Sequence, residues 1–291
     1  MANPTTYEIT ILNESGSSHA YFLFAETPQV SNSPSVFQNI WMAAPPIVSR
    51  SDGSSQMKFT INTQYYAVCG TSVQPLGSNV AIATSDYESV QLGAEDQPGT
   101  TLNFTTIGGA NFPEPLPTPT GPDGGFTIQA DRSWSEPDPN NTFIGLGGQD
   151  MHGNVVPVAS VPVSPGITYN MFPVVKFYVS YGSFVEGQIL DVEELGPTLE
   201  VNFTQAEYNT VTYIHNNLDE YQQVAPSEAR GIKLKSLAAK KAAFLGEVEV
   251  PAAGKMRGQN HTVNGLMKED RLAKDLQRTL AKMVRSANGV A

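Results

Sequence analysis

A carboxylate and an imidazole stand two residues apart in Asp150-Met151-His152, flanked by Gly147, Gly148 and Gly153. This is the one place where such a pair shares a glycine-rich loop, and it could support general-base work or one metal ion. The opposing reading is an exposed turn whose Asp and His are solvated, because glycine-rich loops in β proteins commonly just turn. The single cysteine, Cys69, sits in the strand-like run Tyr65-Tyr66-Ala67-Val68-Cys69-Gly70. A thiolate nucleophile needs a neighbouring base, and none adjoins it in sequence, so a buried, inert thiol is expected. Asp150, His152 and Cys69 are the catalytic candidates, and none completes a motif.

The other histidines, His19, His215 and His261, are scattered, with no His-x-His or His-Glu-x-x-His and no second cysteine. Neither a metal centre nor a cofactor is expected from such a pattern. The nucleophile elbow Gly-x-Ser-x-Gly and the phosphate-binding glycine loops are missing too. Acidic loops such as Asp131 to Asn141 offer oxygens to calcium, without the spacing of an EF-hand. Trp41 and Trp134, with eleven tyrosines, could form a sugar-stacking platform, although most aromatics of a β protein occupy core or half-buried strand positions.

The elements that would position these groups are strands. Short runs rich in Val, Ile, Tyr, Phe and Thr alternate with glycine and proline, the punctuation of an all-β body. Strands are predicted at 6–13, 20–25, 56–60, 65–69, 79–84, 88–92 and 100–107. A second series is predicted at 125–130, 142–146, 155–163, 168–181, 188–192, 198–204 and 210–215. Between the series, Pro113, Pro115, Pro117, Pro119 and Pro122 suit neither helix nor central strand and predict an extended linker. An echo between residues 92–105 and 190–204, each ending in Asn-Phe-Thr, supports two related halves. The expectation is one large or two tandem β-sandwich-like units with a C-terminal helical tail. As tandem units they would be 1–107 and 126–226, joined by a linker at 108–125 and followed by a basic tail at 227–291.

Charge divides the chain at the same point as the tail. Residues 1–227 hold four basic side chains, Arg50, Lys58, Arg132 and Lys176, against twenty-two acidic ones, a net of −18; residues 228–291 carry +7. The tail reads as helical over 228–245 and 266–287. Its second helix carries an apolar stripe at Leu272, Leu276, Leu280 and Met283 beside the cations Lys274, Arg278 and Lys282. These seven residues are the candidate interaction site, for self-association or a protein partner. Nucleic acid is a poor fit because a body at −18 repels phosphate. A membrane surface is conceivable for an amphipathic helix, but interfacial Trp and Tyr are missing there. No apolar run is long enough to span a bilayer, and the N-terminus lacks a signal-peptide pattern, so a cytoplasmic location is expected.

Tyr7 to Ser15, Tyr21 to Phe24, Tyr65 to Gly70 and Val174 to Gly182 resemble segments of uncharacterised acidic β-rich proteins of filamentous fungi and bacteria. The resemblance spans residues 5–215, stops before the cationic tail, and implies an intracellular β body with no assigned activity. The leading functional expectation is a non-enzymatic structural or interaction protein whose tail docks on the acidic body and promotes self-assembly. The alternatives are a small-metabolite enzyme with a loop-built pocket and a glycan- or calcium-binding β module.

Overall fold

The computed structural model describes residues 5–33, 35–138, 140–191, 195–204 and 208–225. The tail helices and the interaction residues Leu272, Leu276, Leu280, Met283, Lys274, Arg278 and Lys282 lie outside the described residues. The described body is all β, in four sheets with a sandwich-like arrangement. No helix among the described residues is long and apolar enough to cross a membrane.

The strands are β1 (Thr6–Asn13), β2 (Tyr21–Ala25), β3 (Gln29–Val30), β4 (Phe37–Gln38), β5 (Met42–Ala43), β6 (Gln56–Asn62), β7 (Tyr65–Thr71), β8 (Asp86–Val90) and β9 (Thr101–Phe104). There follow β10 (Phe126–Ala130), β11 (Thr142–Gln149), β12 (Val155–Pro162), β13 (Thr168–Phe172), β14 (Lys176–Tyr181), β15 (Leu199–Asn202), β16 (Thr210–His215) and β17 (Tyr221–Gln223). The sheet orders are β17-β16-β1-β6, β3-β13-β10-β9, β4-β12-β11-β7-β8 and β15-β14-β2-β5. Several edges are very short, two residues each in β3, β4 and β5, which leaves little unpaired backbone for another chain to extend.

The pairings correct the picture of tandem units at 1–107 and 126–226. Every sheet contains strands from both stretches: β1 beside β16, β2 beside β14, β7 beside β11 and β9 beside β10. One hydrophobic core draws on all four sheets, through Ile9, Phe59, Leu23, Phe177, Phe104, Phe126, Ile144 and Val158 among others. The period-two alternation of a strand explains how β2 can be buried throughout. Tyr21, Leu23 and Ala25 enter the main core, whereas Phe22 and Phe24 pack with Ile40 and Leu190 on the other face.

The proline-rich stretch contains no strand, as its composition requires, but it does not hang free as a linker. Phe112 is buried, and its backbone N–H donates to Asp86 Oδ2 at 2.9 Å; Gly99 and Gly121 exchange two backbone hydrogen bonds. Glycine is required at these contacts because the chains approach too closely for a side chain. A Cβ on Gly99 would lie 2.1 Å from the Gly125 carbonyl oxygen, and one on Gly93 would lie 2.1 Å from that of Pro122. Backbone atoms cannot rotate aside, so Gly99→Ala should cost about 1–3 kcal/mol, an overpacking penalty. The loss should read out as faster proteolysis within residues 108–125; a variant as stable and as resistant as the parent would contradict this docking.

Candidate functional site

A cluster of titratable side chains lies where β2 and β14 meet the end of β16. In the antiparallel register Tyr21 stands opposite Tyr181, and His215 stands opposite Tyr221 on β17. Tyr21 and His215 are both fully buried. The Tyr21 hydroxyl and His215 Nδ1 are 2.7 Å apart, and His215 Nε2 is 3.2 Å from Asp219 Oδ1. The neutral tautomer that satisfies both contacts accepts the Tyr21 proton at Nδ1 and donates from Nε2 to Asp219. Tyr181 donates to the same carboxylate oxygen at 3.2 Å. His19 completes the cluster, its ring centroid 4.1 Å from Tyr181 and 5.2 Å from His215, and Tyr221 stacks on His215 at 4.7 Å.

Local sequence explains how Asp219 reaches the ring. In the turn between β16 and β17, Asn216 Oδ1 accepts the backbone N–H groups of Leu218 and Glu220, and Asp219 adopts φ 60°, a left-handed conformation that Asp tolerates. The arrangement orders an Asp-His-Tyr chain, and burial sets its protonation. Burial, reinforced by nearby His19, holds His215 below the usual histidine value despite Asp219. Burial pushes Tyr21 up, as do Tyr181 and Asp219, and the same cause raises Tyr221. Burial therefore favours the uncharged imidazole and phenols, with a fully buried phenol at the inner end of the chain. Such a phenol is poorly placed to attack or deprotonate a molecule in solvent.

The predicted catalytic residues fall elsewhere and apart. Asp150 is buried at the end of β11, where its Oδ1 accepts the N–H groups of His152 and Asn154 at 2.7 and 2.8 Å, and its Oδ2 accepts the Asn154 amide at 2.9 Å. Burial opposes ionisation, but the Asn154 contacts and the His152 N–H outweigh it and hold the carboxyl below its usual value. Those oxygens cap their own turn. His152 is exposed in that turn, and it meets Asp150 through its backbone N–H. Glu186 lies close by and accepts the Ala43 N–H at 3.1 Å; burial, then the charge of Asp150, raises its carboxyl. Beside them a cleft of about 320 Å³ is lined by Lys58, Thr60 and Asn62 of β6 with Gln149, Asp150 and Met151.

Cys69 is buried in β7, and its thiol contacts the Asp86 carbonyl at 3.7 Å. Burial and then the Asp86 charge push the thiol well above its usual value, the opposite of what a nucleophile needs. The Trp41 platform is also corrected: Trp41 is core, 1% exposed, with its indole N–H donating to the Gln149 carbonyl at 2.9 Å. Trp134 packs edge-on against Phe104. In the acidic loop, Asp131 Oδ1 accepts the Ser133 N–H and Asp138 accepts those of Asn140 and Thr142, so these carboxylates are used as turn caps.

The cluster around Tyr21, His215 and Asp219 escapes inspection of the sequence because its members come from three separated segments, 19–21, 181 and 215–221. Only the four-residue spacing of His215 and Asp219 hints at it. No curated protein and no solved structure matches the chain. A family model does: RhiA matches residues 4–225, ending just before the cationic tail. That match covers well over half of the sequence, and the chain belongs to the RhiA family.

Proposed function

We propose that this is a non-enzymatic interaction protein, in which an acidic β body receives the cationic segment 228–291 of its own or a neighbouring molecule and self-assembles through it. The observation that carries this reading is the uncompensated acidity of the body. Its two lysines are already engaged, Lys58 with Glu8 and Lys176 with both Glu26 and Glu200 at 3.1 Å. Other carboxylates crowd one another: burial, then the charges of Asp86 and Glu114, raises Glu88 on the edge strand β8. A segment bearing +7 relieves that crowding, with an apolar stripe to bury as it docks. A cytoplasmic setting suits a chain whose one thiol has no disulfide partner.

Light scattering on the intact protein and on a version ending at residue 227 tests the intermolecular form. The intact chain should have the larger mass at about 50 mM salt and approach the monomer at about 500 mM, where screening shortens the reach of its charges. The truncated chain should be monomeric at both. Equal masses would rule out docking between molecules. Adding the 228–291 peptide to the truncated body then decides the rest: binding that weakens roughly tenfold or more across that salt range supports docking, and no binding at low salt ends the proposal.

The cleft beside Asp150 favours a second reading, a small-ligand site. Its ammonium, hydroxyl, amide and carboxylate lining suits a hydroxylated compound. A melting temperature unmoved by millimolar sugars or polyols would discard it.

A further inference from the structure

The only buried imidazole among the described residues closes the hairpin that leads into residues 226–291. His215 is the last residue of β16; its backbone carbonyl accepts the Glu14 N–H at 2.9 Å, and its ring is locked between Tyr21 and Asp219. We propose that the β16-β17 hairpin is an acid-sensitive latch: a proton added to His215 takes the acceptor from the buried Tyr21 hydroxyl and loosens the hairpin from β1. This inference is independent of where the tail docks.

Hydrogen-bond bookkeeping gives the reason. With Nδ1 as acceptor, the Tyr21 proton has a place; once Nδ1 is protonated it donates across the 2.7 Å to the phenol oxygen, and the Tyr21 O–H loses its acceptor. The phenol must turn its hydrogen away from the acceptor it now has, in a fully buried position. Nearby, Tyr221 Oη is already buried with no partner among the described residues, an unsatisfied hydroxyl that the closed pocket carries before any proton is added.

Charge works in the same direction. The groups facing His215 are Tyr21 and His19 from β2 and the loop before it, Tyr181 from β14, Tyr221 from β17, Asp219 in the turn, and Glu14 just beyond β1. Asp219 is the counter-charge in direct contact, but its side chain is 56% exposed and screened. On the other side, the His19 ring lies 5.2 Å away and opposes a positive charge on His215. Burial first, then His19, depresses the value of His215 in the closed state. In the open hairpin it would return to about 6.5.

The sign follows from that depression. The latch is fully effective above about 6.5 and weakens as pH falls toward the depressed closed-state value, with the open population rising by up to about tenfold per pH unit in between.

Hydrogen exchange of the intact chain, corrected for the intrinsic pH dependence of exchange, reads this directly. Amides of β16 and β17 should lose up to about fivefold protection between about pH 6.5 and 5.5, while those of β10 and β11 keep theirs. In His215→Gln the hairpin should show no such pH dependence. Unchanged protection in the wild type, an equal loss in the variant, or loss spread over the whole body would overturn the latch. If His215→Gln fails to fold, an NMR titration of the wild-type imidazole decides: proton uptake in step with amide release supports the proposal, and uptake with the hairpin still protected refutes it.

Discussion

Residues 1–107 and 126–226, produced as two separate chains, should each fail to fold. Cutting there leaves every one of the four sheets without strands that hold its neighbours. The first fragment loses β16 from beside β1, β14 from beside β2, and both β11 and β12 from beside β7 and β4. The second keeps the β11-β12 and β14-β15 hairpins but loses Ile9, Leu23, Phe59 and Phe104 from the core. A stability of about 5–15 kcal/mol cannot survive removal of half of a shared core. Neither fragment should give a cooperative melt or dispersed amide resonances alone, and mixing them should restore at least part of the signal. A cooperative transition in either isolated fragment would show that the body is divisible after all.

The second large effect is expected at Trp41. Its indole lies 5.9 Å from the Phe177 ring, centroid to centroid, and presses on Gly148, where an added Cβ would come within 2.4 Å of the indole carbon Cζ2. Trp41→Ala empties that space and deprives the Gln149 carbonyl of its donor, at a cost of about 3–5 kcal/mol. For a body of this size, roughly 10 °C should be lost from the melting temperature. Trp41→Phe fills much of the space without restoring the hydrogen bond and should recover about half. A melting temperature within about 2 °C of the parent for the alanine variant would mean that Trp41 is not the core anchor its burial indicates.

Where side-chain pattern alone decides, the sequence was a good guide. β1 and β16 coincide with their predicted limits at 6–13 and 210–215, because polar turn residues bound both runs. Other boundaries depend on what packs nearby. Gly147 and Gly148 look like loop residues, yet they belong to β11, where Val68 and Trp41 occupy the space their side chains would need. The predicted strand at 168–181 divides into β13 and β14 around Pro173, which has no N–H to give a ladder. At 79–84 a single bridge from Ala81 to Gln188 replaces the expected strand.

The echo of 92–105 in 190–204 likewise gives no structural equivalence. β9 runs parallel to β10 in one sheet, whereas β15 is an antiparallel edge on β14 in another. Chemistry was least legible of all. Asp150 and His152 are two residues apart in sequence but divide into a buried cap and an exposed ring, whereas Tyr21 and His215, 194 residues apart, share a hydrogen bond.

The parallel pairing of β1 with β16 also sets an order of events during synthesis. Thr6 to Asn13 leave the ribosome well before Thr210 to His215; they can meet β6 early, but their other edge waits for those later residues. Throughout that interval the nascent chain carries an open strand edge bearing Ile9, Ile11 and Leu12, an invitation to pair with another copy. Closing it is a long-range step and therefore a slow one. Conditions that crowd nascent chains should thus select against this fold before any mature molecule exists to be tested for stability.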